Sequence, residues 1–160
     1  HIPMHRLTRE EIGRANGGRG GKGEKAICGF DEDSLTMAVA AGVDCLKGVD
    51  RKGVDGLYLA TTTSPYVEKM VSTTAAAALD LRADIGALDF ANSLRAGTGA
   101  LLCAANAVKA VAMKSALVLA SYCLLVETKS ELEMVIGDGA AALTVGDKDV
   151  VSEIEDSVSV

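Results

Sequence analysis

Apolar positions along this chain fall into two rhythms. Leu35, Val39, Val43 and Leu46 recur every three or four residues, so they lie on one stripe of a helix expected over 33–46. Leu101, Ala104, Val108 and Val111 repeat the pattern and predict a second long helix over 96–112. A further helix is expected over 67–79. Between these come short runs at 57–60, 87–90 and 116–120, and the last is apolar throughout, as a strand buried on both faces requires. Upstream, Thr8-Arg9-Glu10-Glu11 has the form of a capping box opening a short helix that stops by Gly17. Residues 17–25 are rich in glycine and without periodicity, hence a loop. Downstream, strands are expected over 140–145 and 150–158, about the turn Gly146-Asp147-Lys148-Asp149. The second alternates imperfectly, which marks it as an edge or one-sided strand. The abrupt opening His1-Ile2-Pro3 suggests a strand entered one or two residues late.

Strands that alternate with helices imply crossover connections. The expected fold is α/β, a mostly parallel sheet covered by helices on both faces. In such sheets ligands collect beyond the carboxyl ends of the strands, which places the loops 61–65, 91–97 and 121–127 together. A length of 160 residues suits one domain. Composition sharpens the picture. Hydrophobic residues make up 49% and aromatics 3%, so Ala, Val, Leu and Gly must fill the interior. A net charge of -6 leaves no basic stripe for phosphates and excludes a nucleic-acid binder. No apolar run reaches the length of a membrane span and no signal pattern opens the chain, so a soluble, cytoplasmic protein is expected. Cys28, Cys45, Cys103 and Cys123 form no CxxC pair, and His1 and His5 are the two histidines. No zinc or other metal site is therefore expected, and the thiols read as reduced.

The chemistry concentrates in the segment from Leu88 to Leu101, a strand, a tight turn and a small-residue helix. A side chain on such a turn sits beside the unpaired N–H groups of a helix N-terminus, which stabilise developing negative charge. A cysteine there would have a lowered pKa and accept acyl groups. Read without further context, the segment is equally an ordinary turn packed by small side chains. Around it, the sequence ANSLRAGTGAL at 91–101 resembles the nucleophile region of HMG-CoA synthases and ketoacyl synthases, members of the thiolase superfamily. Leu94 stands where that family keeps its cysteine. The stretch at 21–42, the SPY at 64–66 and IGDGAAALTVG at 136–146 are similar to further parts of the same family, in family order.

The resemblance implies the N-terminal half of a condensing enzyme, occupying 1–160, with the C-terminal half absent from this chain. It implies an acyl-CoA thioester as substrate, Claisen-type condensation or its thiolytic reverse, and no permanently bound cofactor. It also marks two departures. Leu94 cannot accept an acyl group, and Thr62 stands where HMG-CoA synthases keep a general-acid glutamate. The family's catalytic histidine belongs to the C-terminal half.

Two explanations stay open. In one, Cys123 is a relocated nucleophile, following the strand at 116–120 to the same sheet end as Leu94; otherwise it is a buried structural thiol. Cys28, Cys45 and Cys103 read as small hydrophobes. In the other explanation the chain is a non-catalytic partner in a heteromer. The resemblance implies an oligomer formed through this half's sheet, with the strand at 116–120 and the helix before it as part of the surface. A small partner carrying a zinc ribbon and OB fold is consistent with the same family. A third possibility is a free-standing acyl-CoA-binding domain.

Arg19, Lys22 and Lys25 lie among five glycines and are candidates for the phosphates of coenzyme A, with a solvated mobile loop as the alternative. The spacing is not that of a P-loop. Asp138 in Gly137-Asp138-Gly139 reads as a turn former, and Glu127, Glu131 and Glu133 as solvated surface or a flap.

Overall fold

The helical stripes and short apolar runs assemble into a layered α/β structure. The computed structural model describes residues 1–124 and 126–158. Its elements are β1 (His5–Thr8), α1 (Arg9–Ala15), β2 (Glu24–Ile27), α2 (Ser34–Cys45), β3 (Gly56–Ala60), α3 (Val71–Ala78), β4 (Gly86–Phe90), α4 (Ala96–Lys109), β5 (Ser115–Tyr122), α5 (Glu131–Val135) and β6 (Gly139–Gly146). The main sheet runs β4-β3-β5-β6. Its first three strands are parallel, and β6 is antiparallel to β5. β1 and β2 pair separately as an antiparallel ribbon.

Period-two alternation along β3 and β5 divides the interior. Leu57, Leu59, Leu117 and Leu119 face α2 and α3, where Leu35, Ala38, Ala75 and Leu79 meet them. Each of these fully buried leucines contributes about 2–3 kcal/mol of transfer free energy. Tyr58, Ala60, Ala116 and Val118 face the other way, against Ala100 and Ala104 of α4. Small residues four apart on α4 let the helix settle close to the sheet, where the Tyr58 and Phe90 rings lie 5.7 Å apart in a tilted pair. On the opposite face, Gly42 gives α2 the same closeness: a Cβ there would lie 2.8 Å from Leu79 Cδ1.

Several expectations change. The helix expected over 67–79 starts at Val71, because the Asp89 carboxylate of β4 accepts the Val71 and Ser72 N–H groups at 2.7 and 2.8 Å. That cap comes from a strand 17–18 residues away and leaves no local trace. The loop at 17–25 ends early, since Glu24 and Lys25 belong to β2. The strand expected over 150–158 is not formed, and those residues are exposed. Val151, Ile154 and Val158 step by three and four, so no extended segment could put them on one face. The strand at 116–120, expected at an oligomer surface, is interior to the sheet, flanked by β3 and β6. The edge strands of the sheet are β4 and β6.

Candidate functional site

Parallel registration fixes the candidate site. Ala60 of β3 pairs with Phe90 of β4 and with Ala120 of β5, so the parallel pairing ends at one level, with β5 running two residues further beside β6. The chain segments that follow, from Thr61, Ala91 and Ser121, therefore emerge side by side, as expected from the sequence. Hydrogen bonds hold two of them together. Thr61 N–H continues the ladder to Phe90 O at 3.0 Å. Cys123 N–H donates to Thr63 Oγ1 at 3.0 Å, and Ser34 Oγ donates to Thr63 O at 2.6 Å.

The turn from β4 into α4 passes through Asn92, whose φ of 64° lies in the left-handed region that asparagine tolerates. Ser93 Oγ then accepts from Arg95 N–H at 3.1 Å. Leu94 projects from this turn with 87% of its surface exposed. Arg95, at the N-cap of α4, makes no side-chain capping hydrogen bond among the described residues. The backbone of the turn thus offers a helix N-terminus to an exposed position, and the residue there is an alkyl group. Thr62 is likewise exposed at the end of β3. Neither position carries a nucleophile or an acid.

Cys123 reaches the same sheet end by a different face. The methyl of Ala120 lies 3.7 Å from where a Gly97 Cβ would sit, so Ala120 faces α4. The Cys123 thiol lies toward α2: its Sγ is 2.8 Å from Cys28 Sγ, which in turn is 3.7 Å from Met37 Sδ of that helix. Asp138 closes the cluster, accepting the Cys28 N–H at 2.8 Å and the Leu124 N–H at 3.0 Å. This aspartate ties two distant loops and does more than form its own turn. Burial pushes the Cys28 thiol above the ordinary thiol range, and the hydrogen bond to Cys123 and the nearby Asp138 carboxylate act the same way. Burial also raises Cys123, opposed by the hydrogen bond from Cys28.

Cys28, Cys123 and Asp138 offer three ligand atoms within 4.8 Å of one another, a grouping able to hold a metal ion. Spacing along the chain hid it, because the two cysteines are 95 residues apart. Cys45 and Cys103 pack against the two sides of the core, as expected.

The glycine-rich segment is built for contact more than for mobility. A Cβ on Gly20 would fall 1.7 Å from Arg9 O, and one on Gly13 would fall 2.0 Å from Gly20 N, so the loop crosses α1 backbone to backbone. A groove of about 830 Å³ opens beside the crossing, lined by Arg19 and Lys22 together with Arg14, Glu10 and Glu24. Lys25 stands apart from this pair. It sits in β2 opposite Leu7, and its charge acts on Glu133. Glu133 is not simply solvated surface: it accepts hydrogen bonds from Asn16 Nδ2 at 2.9 Å and Lys129 N–H at 2.8 Å, which hold its carboxyl below the usual range.

No family model matches the chain. In sequence it is similar to curated HMG-CoA synthases, 33% identical over 99% of its length to that of Pyrococcus horikoshii and 30% identical over 97% to that of Pyrobaculum arsenaticum. It spans about half of these relatives, 47% in each case. In structure it is similar to 3-oxoacyl-(acyl carrier protein) synthase III from Pseudomonas aeruginosa, with a TM-score of 0.83 at 20% identity, covering 93% of this chain and 48% of that one. It also superposes on MvaS in complex with 3-hydroxy-3-methylglutaryl coenzyme A, with a TM-score of 0.82 at 24% identity, covering 91% of this chain and 37% of that one.

Proposed function

Since the chain is related to HMG-CoA synthases and has the fold of the N-terminal half of a thiolase-superfamily condensing enzyme, we propose that it is one half, or one subunit, of an acyl-CoA condensing enzyme. Its substrate is an acyl-CoA thioester, and the reaction is Claisen-type carbon–carbon bond formation or thiolytic cleavage. No permanently bound cofactor is required. The observation that carries this reading is the turn at Leu94, where the strand, the left-handed Asn92 and the α4 N-terminus are in place around an exposed position.

In this reading the chain supplies half of the pocket walls, and backbone N–H groups stabilise a thioester oxyanion. The histidine, and a nucleophile if the reaction uses one, come from a C-terminal half or a partner subunit. Arg19 and Lys22, on one groove, meet the phosphates of coenzyme A, and Lys25 adds charge from β2. Assembly into a homo- or hetero-oligomer uses the open edge at β4, where Leu88 is half-exposed, and a zinc-ribbon/OB-fold subunit is a compatible further partner. A cytoplasmic setting fits the free thiols.

The second reading, a non-catalytic partner that shapes another subunit's pocket, is favoured by Leu94 and Thr62 together. The relocated-nucleophile role expected for Cys123 is not favoured by its position, since burial raises its thiol and it lies beside Cys28 on the α2 side of the sheet.

Native mass spectrometry of the protein from its own source, followed by acyl-CoA turnover assays of the isolated assembly, tests these alternatives. The expected result is a complex with a second chain that turns over a thioester and keeps its rate in a Cys123→Ala variant. Loss of turnover in that variant, with the assembly intact, would restore Cys123 as nucleophile. A chain that purifies alone and neither binds nor turns over acetyl-CoA would sink the condensing-enzyme reading.

A further inference from the structure

The pair Cys28 and Cys123 brings together the chain entering α2 and the chain leaving β5, two segments that Asp138 also ties. Cys28 follows β2 at the entrance to α2, and Cys123 follows β5. Their sulfurs lie 2.8 Å apart. That is inside the roughly 3.5–4.0 Å at which non-bonded atoms rest. It is also shorter than the roughly 3.8 Å that separates two thiolates on one tetrahedral zinc ion with Zn–S bonds of about 2.3 Å. Both oxygens of the third group, Asp138, already accept backbone N–H groups.

We propose that Cys28 and Cys123 are a dithiol oxidised reversibly to an intramolecular disulfide by a peroxide, a reaction separate from any thioester chemistry of the chain. Cys123 reacts first. The Cys28 S–H donates to the Cys123 sulfur and so offsets part of the rise that burial gives the Cys123 thiol. The Cys123 thiolate attacks one peroxide oxygen, an S–O bond forms, the O–O bond breaks, and the hydroxide released takes a proton to become water. Cys28 then attacks the sulfenic sulfur, the S–S bond forms, the S–O bond breaks, and a second water leaves. Two thiols give up two electrons and two hydrogens, and one peroxide becomes two waters.

The bridge fastens the chain entering α2 to the chain leaving β5. Cys123 N–H already holds Thr63 at the end of β3, so oxidation stiffens the carboxyl end of the sheet through that contact. Cys45 and Cys103 pack on different sides of the core and have no cysteine partner among the described residues.

The test treats the full chain with hydrogen peroxide, alkylates the remaining thiols with iodoacetamide, and reads intact mass and proteolytic peptides. The expected outcome is loss of two alkylation sites, a peptide joined through Cys28 and Cys123, and return of both sites with dithiothreitol. Dimedone labelling at Cys123 in a Cys28→Ser variant checks the order of attack. Four alkylated thiols after peroxide, or a bridge that involves Cys45 or Cys103, would overturn the proposal. So would a stoichiometric zinc ion on the untreated chain that protects the pair until it is chelated, which would assign the cluster to a metal.

Discussion

At position 94 the backbone of a strand-to-helix turn carries an exposed leucine, so the influence of that backbone can be measured by putting a thiol on it. Leu94→Cys is expected to alkylate with iodoacetamide at least about tenfold faster than the wild-type thiols, because a helix N-terminus lowers thiol pKa while burial raises Cys28 and Cys123. Equal rates across all positions would mean that the turn has no such field. Gly20 gives a second measurement at this scale. Gly20→Ala would drive a methyl into the backbone of α1, and a loss of about 1–3 kcal/mol in urea unfolding is expected. Both sites show what single residues disclose. The glycines at 17–23 were visible as a cluster, but only the structure separates those that permit backbone crossing from those that merely turn. Leu94 was legible because its neighbours form a recognisable segment. The Cys28–Cys123–Asp138 cluster was not, because nothing local marks residues brought together across 95 positions.

Elements were legible where their cause is local. The Thr8 and Glu11 capping box forms as read, with Glu11 N–H donating to Thr8 Oγ1 at 3.2 Å. The helix at 33–46 is capped by Asp33, with Leu35, Val39 and Leu46 of its stripe on the core and Val43 left exposed. Where the cause is remote, reading failed. The start of α3 depends on Asp89, and removing that carboxylate in Asp89→Ala is expected to cost about 0.5–2 kcal/mol in urea unfolding, the usual range for a lost N-terminal cap. The β1–β2 ribbon escaped notice because its short, polar strands carry little apolar alternation. Charge acts at this scale through Asp55, just before β3, which accepts from Lys114 N–H at 2.8 Å and from Arg82 at 3.3 Å. The Lys114 hydrogen bond leads in holding its carboxyl below the ordinary value. Its stabilising contribution is therefore present above the unfolded aspartate pKa, about 4, and is lost as pH falls through the lower folded value. Urea midpoints measured from neutral to acid pH should show Asp55→Asn less stable at neutrality and converging with wild type in acid. A gap that stays constant would rule out this linkage.

On the scale of the whole molecule, alternating strands and helices were enough to predict a mostly parallel sheet covered on both faces. They were not enough to order it. Strand order comes from pairing between distant residues, 60 apart for β3 and β5, and the unbroken apolar run of β5 marked it as buried without telling which strands flank it. The edge at β4 is the testable surface. If an oligomer forms there, Leu88→Lys should lower the assembly mass seen by light scattering while leaving the helical circular dichroism unchanged. Unaltered mass would move the interface elsewhere.

The β1–β2 ribbon is held to the rest of the chain near its far end. Ala26 O accepts from Asp138 N–H at 3.0 Å, and His1 O accepts from Ala140 N–H at 2.9 Å. During synthesis, at roughly 5–20 residues per second, the ribbon therefore waits on the order of ten seconds for those partners to emerge. Through that interval its polar strands protect it, since a ribbon rich in Arg, Lys and Glu remains hydrated where an apolar one would recruit neighbouring nascent chains. The composition that concealed these strands from pattern reading is the one that suits a ribbon obliged to wait for its attachment to the rest of the fold.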